Sequence, residues 1–104
     1  MEKFEIYSWI FLAIAMSSEE RPAKRNDISL MADAINHAVP TQNELNSSIN
    51  WLMRRNLVKS SDKNFQLSRK GKSVYSKARK QSDRTVFGIW NKLEDKLQTM
   101  PNNA

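Results

Sequence analysis

The stretch TQNELNSSINWLMRRNLVKSSDKNFQLSRKG, residues 41–71, decides how this chain folds. It opens with Thr41-Gln42-Asn43-Glu44, a capping-box pattern: the threonine hydroxyl can accept from the Glu44 backbone N–H while the glutamate reaches back to the threonine N–H. A helix therefore begins here. Leu45, Ile49 and Leu52, spaced four and three apart, give it one apolar stripe, with Trp51 on its edge. Asn56 stands where a helix end wants a residue tolerant of the left-handed conformation. Leu57-Val58 opens a short strand, Ser60 to Asn64 make a turn, and Phe65-Gln66-Leu67 alternates as a returning strand does, so Leu57 to Leu67 reads as a small β-hairpin. Ser68 can cap a further helix through Ala78, with Val74, Tyr75 and Ala78 turned inward.

A helix before this stretch is predicted to start after Asp27 as N-cap. Its inner face is Ile28, Met31, Ala32 and Ile35, and Val39-Pro40 ends it. Ser18 to Asn26, with Pro22 and mixed charges, reads as a polar loop. From Lys3 to about Ser17, Phe4, Ile6, Tyr7, Trp9, Ile10, Phe11, Leu12, Ile14 and Met16 make nearly every face of a helix apolar, so that helix is buried on most sides. In so small a domain this raises the expectation that a second subunit helps to cover it. The tail carries Val86, Trp90, Leu93, Leu97 and Met100 at spacings of four, three, four and three. Such a seam serves either a helix packed on its own domain or a homodimer contact through Val86, Trp90, Leu93 and Leu97. Asn102-Asn103-Ala104 reads as a frayed end.

A length of 104 residues fits a single domain over 1–104, with a core at 27–80, an N-terminal helix at about 3–17 and a C-terminal helix at about 84–100. With two glycines, three prolines and long helix-forming stretches, the expected class is mainly α with a small β-hairpin. The chain has no cysteine, so disulfides and thiolate metal sites are excluded, and a cytoplasmic location is expected. The apolar run Ile6 to Met16 is preceded by Glu2 and Glu5 with only Lys3, the reverse of the positive charge an export signal wants. It is also far shorter than the roughly 20 apolar residues that cross a bilayer.

Charge is the second signal. The total is +6, but residues 1–53 carry four Lys/Arg against seven Asp/Glu and residues 85–104 are neutral, whereas residues 54–84 carry eleven cations against Asp62 and Asp83 alone. Attraction to phosphate follows local potential, so this block is the place to look for an anionic partner. A membrane surface is not expected to be that partner, because from Arg69 to Lys80 the only large apolar residues are Val74 and Tyr75.

The order helix, helix, turn, helix, hairpin, helix, together with these residues, resembles the winged helix-turn-helix regulators of the MarR and PadR type. Leu45, Ile49, Leu52 and Leu57-Val58 occupy the positions of their recognition-helix core and of the apolar pair that enters the wing. Leu67-Ser68-Arg69-Lys70-Gly71 is similar to the Leu-Thr-x-x-Gly stretch that closes the wing and opens the next helix. The pattern Ile35-Asn36-His37-Ala38 with Thr41 and Glu44-Leu45 also resembles small bacterial winged-helix proteins, a likeness that brings no activity with it. The match spans about half the chain and departs from the family in a longer turn, Asn36 to Pro40, and in Asn56 where glycine is common.

The resemblance implies a winged helix with added terminal helices that binds double-stranded DNA as a transcriptional regulator, the helix 41–55 lying in the major groove. The base-reading candidates are then Gln42, Asn43, Asn46, Ser47 and Asn50, since Asn and Gln can hydrogen-bond adenine N6 and N7. Phosphate candidates are Arg54, Arg55, Lys59, Lys63, Arg69 and Lys70. The alternative is a winged helix used for protein interaction or assembly without DNA, which the apolar first helix and the heptad tail favour. No enzyme is expected. His37 is the only histidine, no glycine-rich phosphate loop or spaced acid cluster occurs, and Asp33 with His37 makes too weak a pair for a metal. No catalytic residue, metal, cofactor or small-molecule ligand is implied.

Overall fold

The computed structural model describes residues 1–101; the expected loose end Asn102 to Ala104 lies outside them. Among the described residues there are five helices and one hairpin, in the order α1 Lys3–Ser17, α2 Arg25–Asn36, α3 Gln42–Arg54, β1 Val58–Ser61, β2 Asn64–Leu67, α4 Arg69–Gln81 and α5 Val86–Gln98. The coarse class, mainly helical with a small antiparallel hairpin, is the one the sequence predicts.

The apolar helix α1 is the axis of the core. It packs against α2, α3 and α5, with lesser contacts to β2 and α4, and Trp9, Ile10, Phe11, Leu12, Ala13 and Ile14 are all buried. This corrects the expectation that a second subunit covers it, because α2, α3 and α5 of the same chain already do. Three of the four residues expected at a dimer seam are consumed in the same way. Trp90, Leu93 and Leu97 are buried within the chain, and only Val86 remains open, at 38% exposure, beside Phe87 at 57%. A spacing of four and three specifies that a helix has one apolar face but not which helix meets it.

Both core tryptophans have satisfied N–H groups, as a buried indole requires. The Trp9 indole stacks on Trp90 at 6.2 Å between centroids and donates from Nε1 to the Ala32 carbonyl of α2 at 2.9 Å. Trp90 Nε1 donates to the Glu5 carbonyl and to Ser8 Oγ, both at 3.0 Å. A second aromatic cluster fixes the other contact of α1: Tyr7 stacks on Trp51 of α3 at 4.7 Å, with Phe4 edge-on to both rings.

Helix α2 begins three residues earlier than the sequence predicts. Its N-cap is Lys24, and Asp27 stands at the third helical position, its carboxylate accepting from the Lys24 N–H at 3.2 Å. An acidic residue at the third position accepts from the N-cap N–H, where an N-cap side chain would accept from the third residue's N–H, so Asp27 marks the helix start in either role. The segment read as a polar loop also hides a pairing: Ala23 is buried and exchanges both backbone hydrogen bonds with Phe65 of β2, at 2.7 and 2.8 Å. A third extended segment thereby extends the hairpin and ties it to the start of α2.

Helix α3 forms as its capping box dictates, with Glu44 N–H donating to Thr41 Oγ1 at 3.0 Å and Thr41 N–H to Glu44 Oε1 at 2.9 Å. It ends in a Schellman motif: Asn56 is left-handed at φ 60°, its N–H bonds the Met53 carbonyl, and the Leu57 N–H bonds the Leu52 carbonyl, both at 3.0 Å. The hairpin pairs Val58 with Leu67 through Ser61 with Asn64, so its turn is tighter than predicted, two residues long, with Asp62 and Lys63 both left-handed. That is the backbone a two-residue turn needs to follow the strand twist. Ser68 Oγ then accepts from Gly71 N–H at 3.0 Å and starts α4 as expected, although α4 runs on past Ala78 to Gln81. At the start of α5, Asp83 accepts from the hydroxyl and backbone N–H of Thr85, which holds its carboxyl below the usual carboxylate range, and Thr85 Oγ1 accepts from Gly88 N–H.

Candidate nucleic-acid interface

One face of α3 must meet the core and the other must not. Leu45, Ser48, Ile49 and Leu52 take the inner face. Gln42, Asn43, Asn46, Ser47, Asn50 and Arg54 are all exposed, so the residues named as base readers share one uncovered polar surface. The capping box that starts the helix also fixes the direction of its first turn, which carries Gln42 and Asn43.

The six phosphate candidates divide by what their side chains already do. Arg54, Lys59, Lys63 and Arg69 are exposed at the end of α3, on β1, in the hairpin turn and in the first turn of α4. Arg55 is half-buried with its guanidinium 4.8 Å from the Trp51 ring centroid, a packing position rather than an outward one. The Lys70 ammonium donates to the Arg55 carbonyl at 3.1 Å, where it satisfies a group at the α3 C-terminus. Arg55 and Lys70 therefore brace the junction between α3 and α4, and the outward cations are the other four.

Helix α4 has no acidic residue in its first turn, where the dipole favours one, and carries Arg69 and Lys70 there instead. Two cations at a helix N-terminus oppose the dipole. An anion arriving at that end would relieve the repulsion.

Sequence reasoning missed Arg25. It belongs to the acidic half of the chain and precedes Asn46 by 21 positions, yet Arg25 Nη1 donates to Asn46 Oδ1 at 2.5 Å. The same guanidinium lies 5.2 Å from the ring centroid of Phe65 on β2. The outer face of α3 thus has a cation ahead of Arg54, supplied by the preceding helix. Nothing local in the sequence signals this contact; it follows from the Ala23 pairing with Phe65, which sets the start of α2 beside β2.

On the inner side of α3, Ser48 is fully buried and its hydroxyl has no partner among the described residues. Among those residues, no three His, Asp or Glu side chains are placed to hold a metal ion, and His37 is an exposed left-handed residue that ends α2. No helix there is long and apolar enough to cross a membrane. In comparison with known proteins, the chain matches no family model, no curated protein and no solved structure. The resemblance to winged-helix regulators therefore rests on this chain's own residues and on the order of its elements.

Proposed function

We propose that the chain is a winged helix-turn-helix that binds double-stranded DNA as a transcriptional regulator, with the outer face of α3 in the major groove and the hairpin and start of α4 on the phosphates. The observation that carries the reading is the exposed polar face Gln42, Asn43, Asn46, Ser47, Asn50 and Arg54, with Met53 as its one exposed apolar member, followed in the chain by the exposed cations Lys59, Lys63 and Arg69. Asparagine and glutamine reach base edges, and Lys and Arg supply affinity through released counterions. The order α2, α3, hairpin, α4, with Ala23 pairing on the hairpin, supports the same reading.

The test is duplex affinity as a function of salt. Affinity falls steeply with added salt, and replacing Arg69 and Lys70 together by alanine weakens binding to every sequence alike, flattening the log–log salt slope by roughly one for each phosphate left without its cation. Lys70 also braces α3, so thermal melting of the double variant and of Arg69→Ala alone separates weaker phosphate binding from a weaker fold. Wild-type protein without duplex affinity at low salt would defeat the proposal.

One observation favours the second reading, an interaction or assembly module: Leu30 and Val39 are 61% and 68% exposed. The homodimer is part of the main proposal, but with its seam buried only Val86 and Phe87 remain to carry it. Light scattering at micromolar concentration decides the point. A mass of two chains, reduced to one by Phe87→Ser, supports the dimer; one chain's mass in the wild type removes it.

A further inference from the structure

We propose that Arg25 and Asn46 act as one base-reading unit that prefers guanine, an inference that rests on the duplex-binding reading above. A guanidinium only donates hydrogen bonds, so the bond from Arg25 Nη1 requires the Asn46 amide oxygen to face it and turns the amide nitrogen away. Phe65 meets the same guanidinium at 5.2 Å, so the arginine is held between β2 and α3 before any duplex arrives. A side chain ordered in advance loses little freedom on binding.

An asparagine acting alone reads adenine by accepting from N6 and donating to N7. Here the accepting atom already carries a charge-assisted bond, and the pair as a whole is positive and rich in donors. Adenine would bring its N6 amino donor against that surface. Guanine offers two acceptors, O6 and N7, which the Asn46 amide nitrogen and the remaining guanidinium N–H groups can meet together. Thymine offers one acceptor and a methyl group, and cytosine offers a donor, so guanine is the edge that matches. The adenine reading expected of Asn46 from its residue type alone is thereby reversed by its neighbour.

The experiment has two stages, both with the full chain. Mixed-sequence duplex at low salt comes first; absence of binding there defeats the duplex-binding reading itself. Where binding is present, selection from a randomised duplex library reads the preference. Wild type is expected to enrich guanine at one fixed position. Arg25→Ala and Asn46→Ala each reduce discrimination at that same position by roughly tenfold, and the double variant reduces it no further than either single one. Arg25→Lys keeps the charge, and hence the mixed-sequence affinity, but loses the preference; it also stands in for Arg25→Ala should circular dichroism show that variant unfolded. Enrichment of adenine, duplex binding with no preferred base, or a guanine preference that survives both Arg25 replacements would overturn the inference.

Discussion

Trp90→Ala is expected to destabilise the chain by about 3–5 kcal/mol, the range for emptying a large aromatic from a core. The indole fills the space between α5 and α1, stacks on Trp9, and donates to both the Glu5 carbonyl and Ser8 Oγ. Alanine removes the ring, leaves a cavity against the most buried helix, and takes away the N–H that the Glu5 carbonyl and Ser8 Oγ share. For a domain of this size the melting temperature should fall by roughly 15–30 °C. Trp90→Phe separates the contributions. It keeps a ring in place but loses the N–H and part of the indole's volume, so its cost should be about 1–3 kcal/mol. Denaturant titration of both variants measures the difference, and a loss under about 1 kcal/mol for Trp90→Ala would show that α5 is not held on α1 through this residue.

The second large effect is expected at Gly71. Replacing a helical glycine by alanine ordinarily gains up to about 1 kcal/mol. At Gly71 the sign reverses, because an added Cβ would lie 2.0 Å from the Leu57 carbonyl oxygen. That oxygen cannot swing aside: it belongs to the backbone leaving the Schellman turn and already accepts from Ser68 N–H at 3.0 Å. Relief requires α4 to move off the hairpin, which opens the Ser68 cap and the Lys70 bond to Arg55. A loss of at least about 2 kcal/mol is expected for Gly71→Ala. Gly88 provides the comparison, since its added Cβ also meets an atom at 2.0 Å, but that atom is Asp83 Oδ1, the end of an exposed side chain that can rotate away at the cost of its hydrogen bonds to Thr85, with no shift of backbone. Gly88→Ala should cost clearly less. Equal stability of Gly71→Ala and wild type in chemical denaturation would mean that α4 is free to shift at this contact.

Gly71 also shows what kind of information the sequence carries. The motif Leu67-Ser68-Arg69-Lys70-Gly71 marks a helix start through its serine, and the structure adds why a glycine follows three positions later. The same holds for Thr41 with Glu44 and for Asn56: each answers a local backbone demand within four residues, so the demand is visible in the string. What could not be read is pairing over distance. Ala23 contributes one pair of hydrogen bonds to a partner 42 positions away, too little to create an alternating pattern, and the Arg25 contact with Asn46 depends on it. The α5 seam lies between these cases. Its periodicity is plain, but α1 in the same chain and α5 of a second copy would satisfy it equally. The candidate face of α3 was legible because its inner stripe was; its electrostatics were not, since the decisive cation comes from another helix.

If duplex DNA sits on the outer face of α3 and on the hairpin, amide chemical-shift mapping of the labelled chain with duplex at low salt will show it. Signals of Gln42, Asn43, Asn46, Ser47 and Asn50 should move together with those of Lys63 and Arg69, while buried α5 residues such as Leu93 stay in place. Shifts centred on Leu30 and Val39 or on Phe87, or a spectrum that duplex leaves unchanged, would place the binding surface elsewhere or remove it.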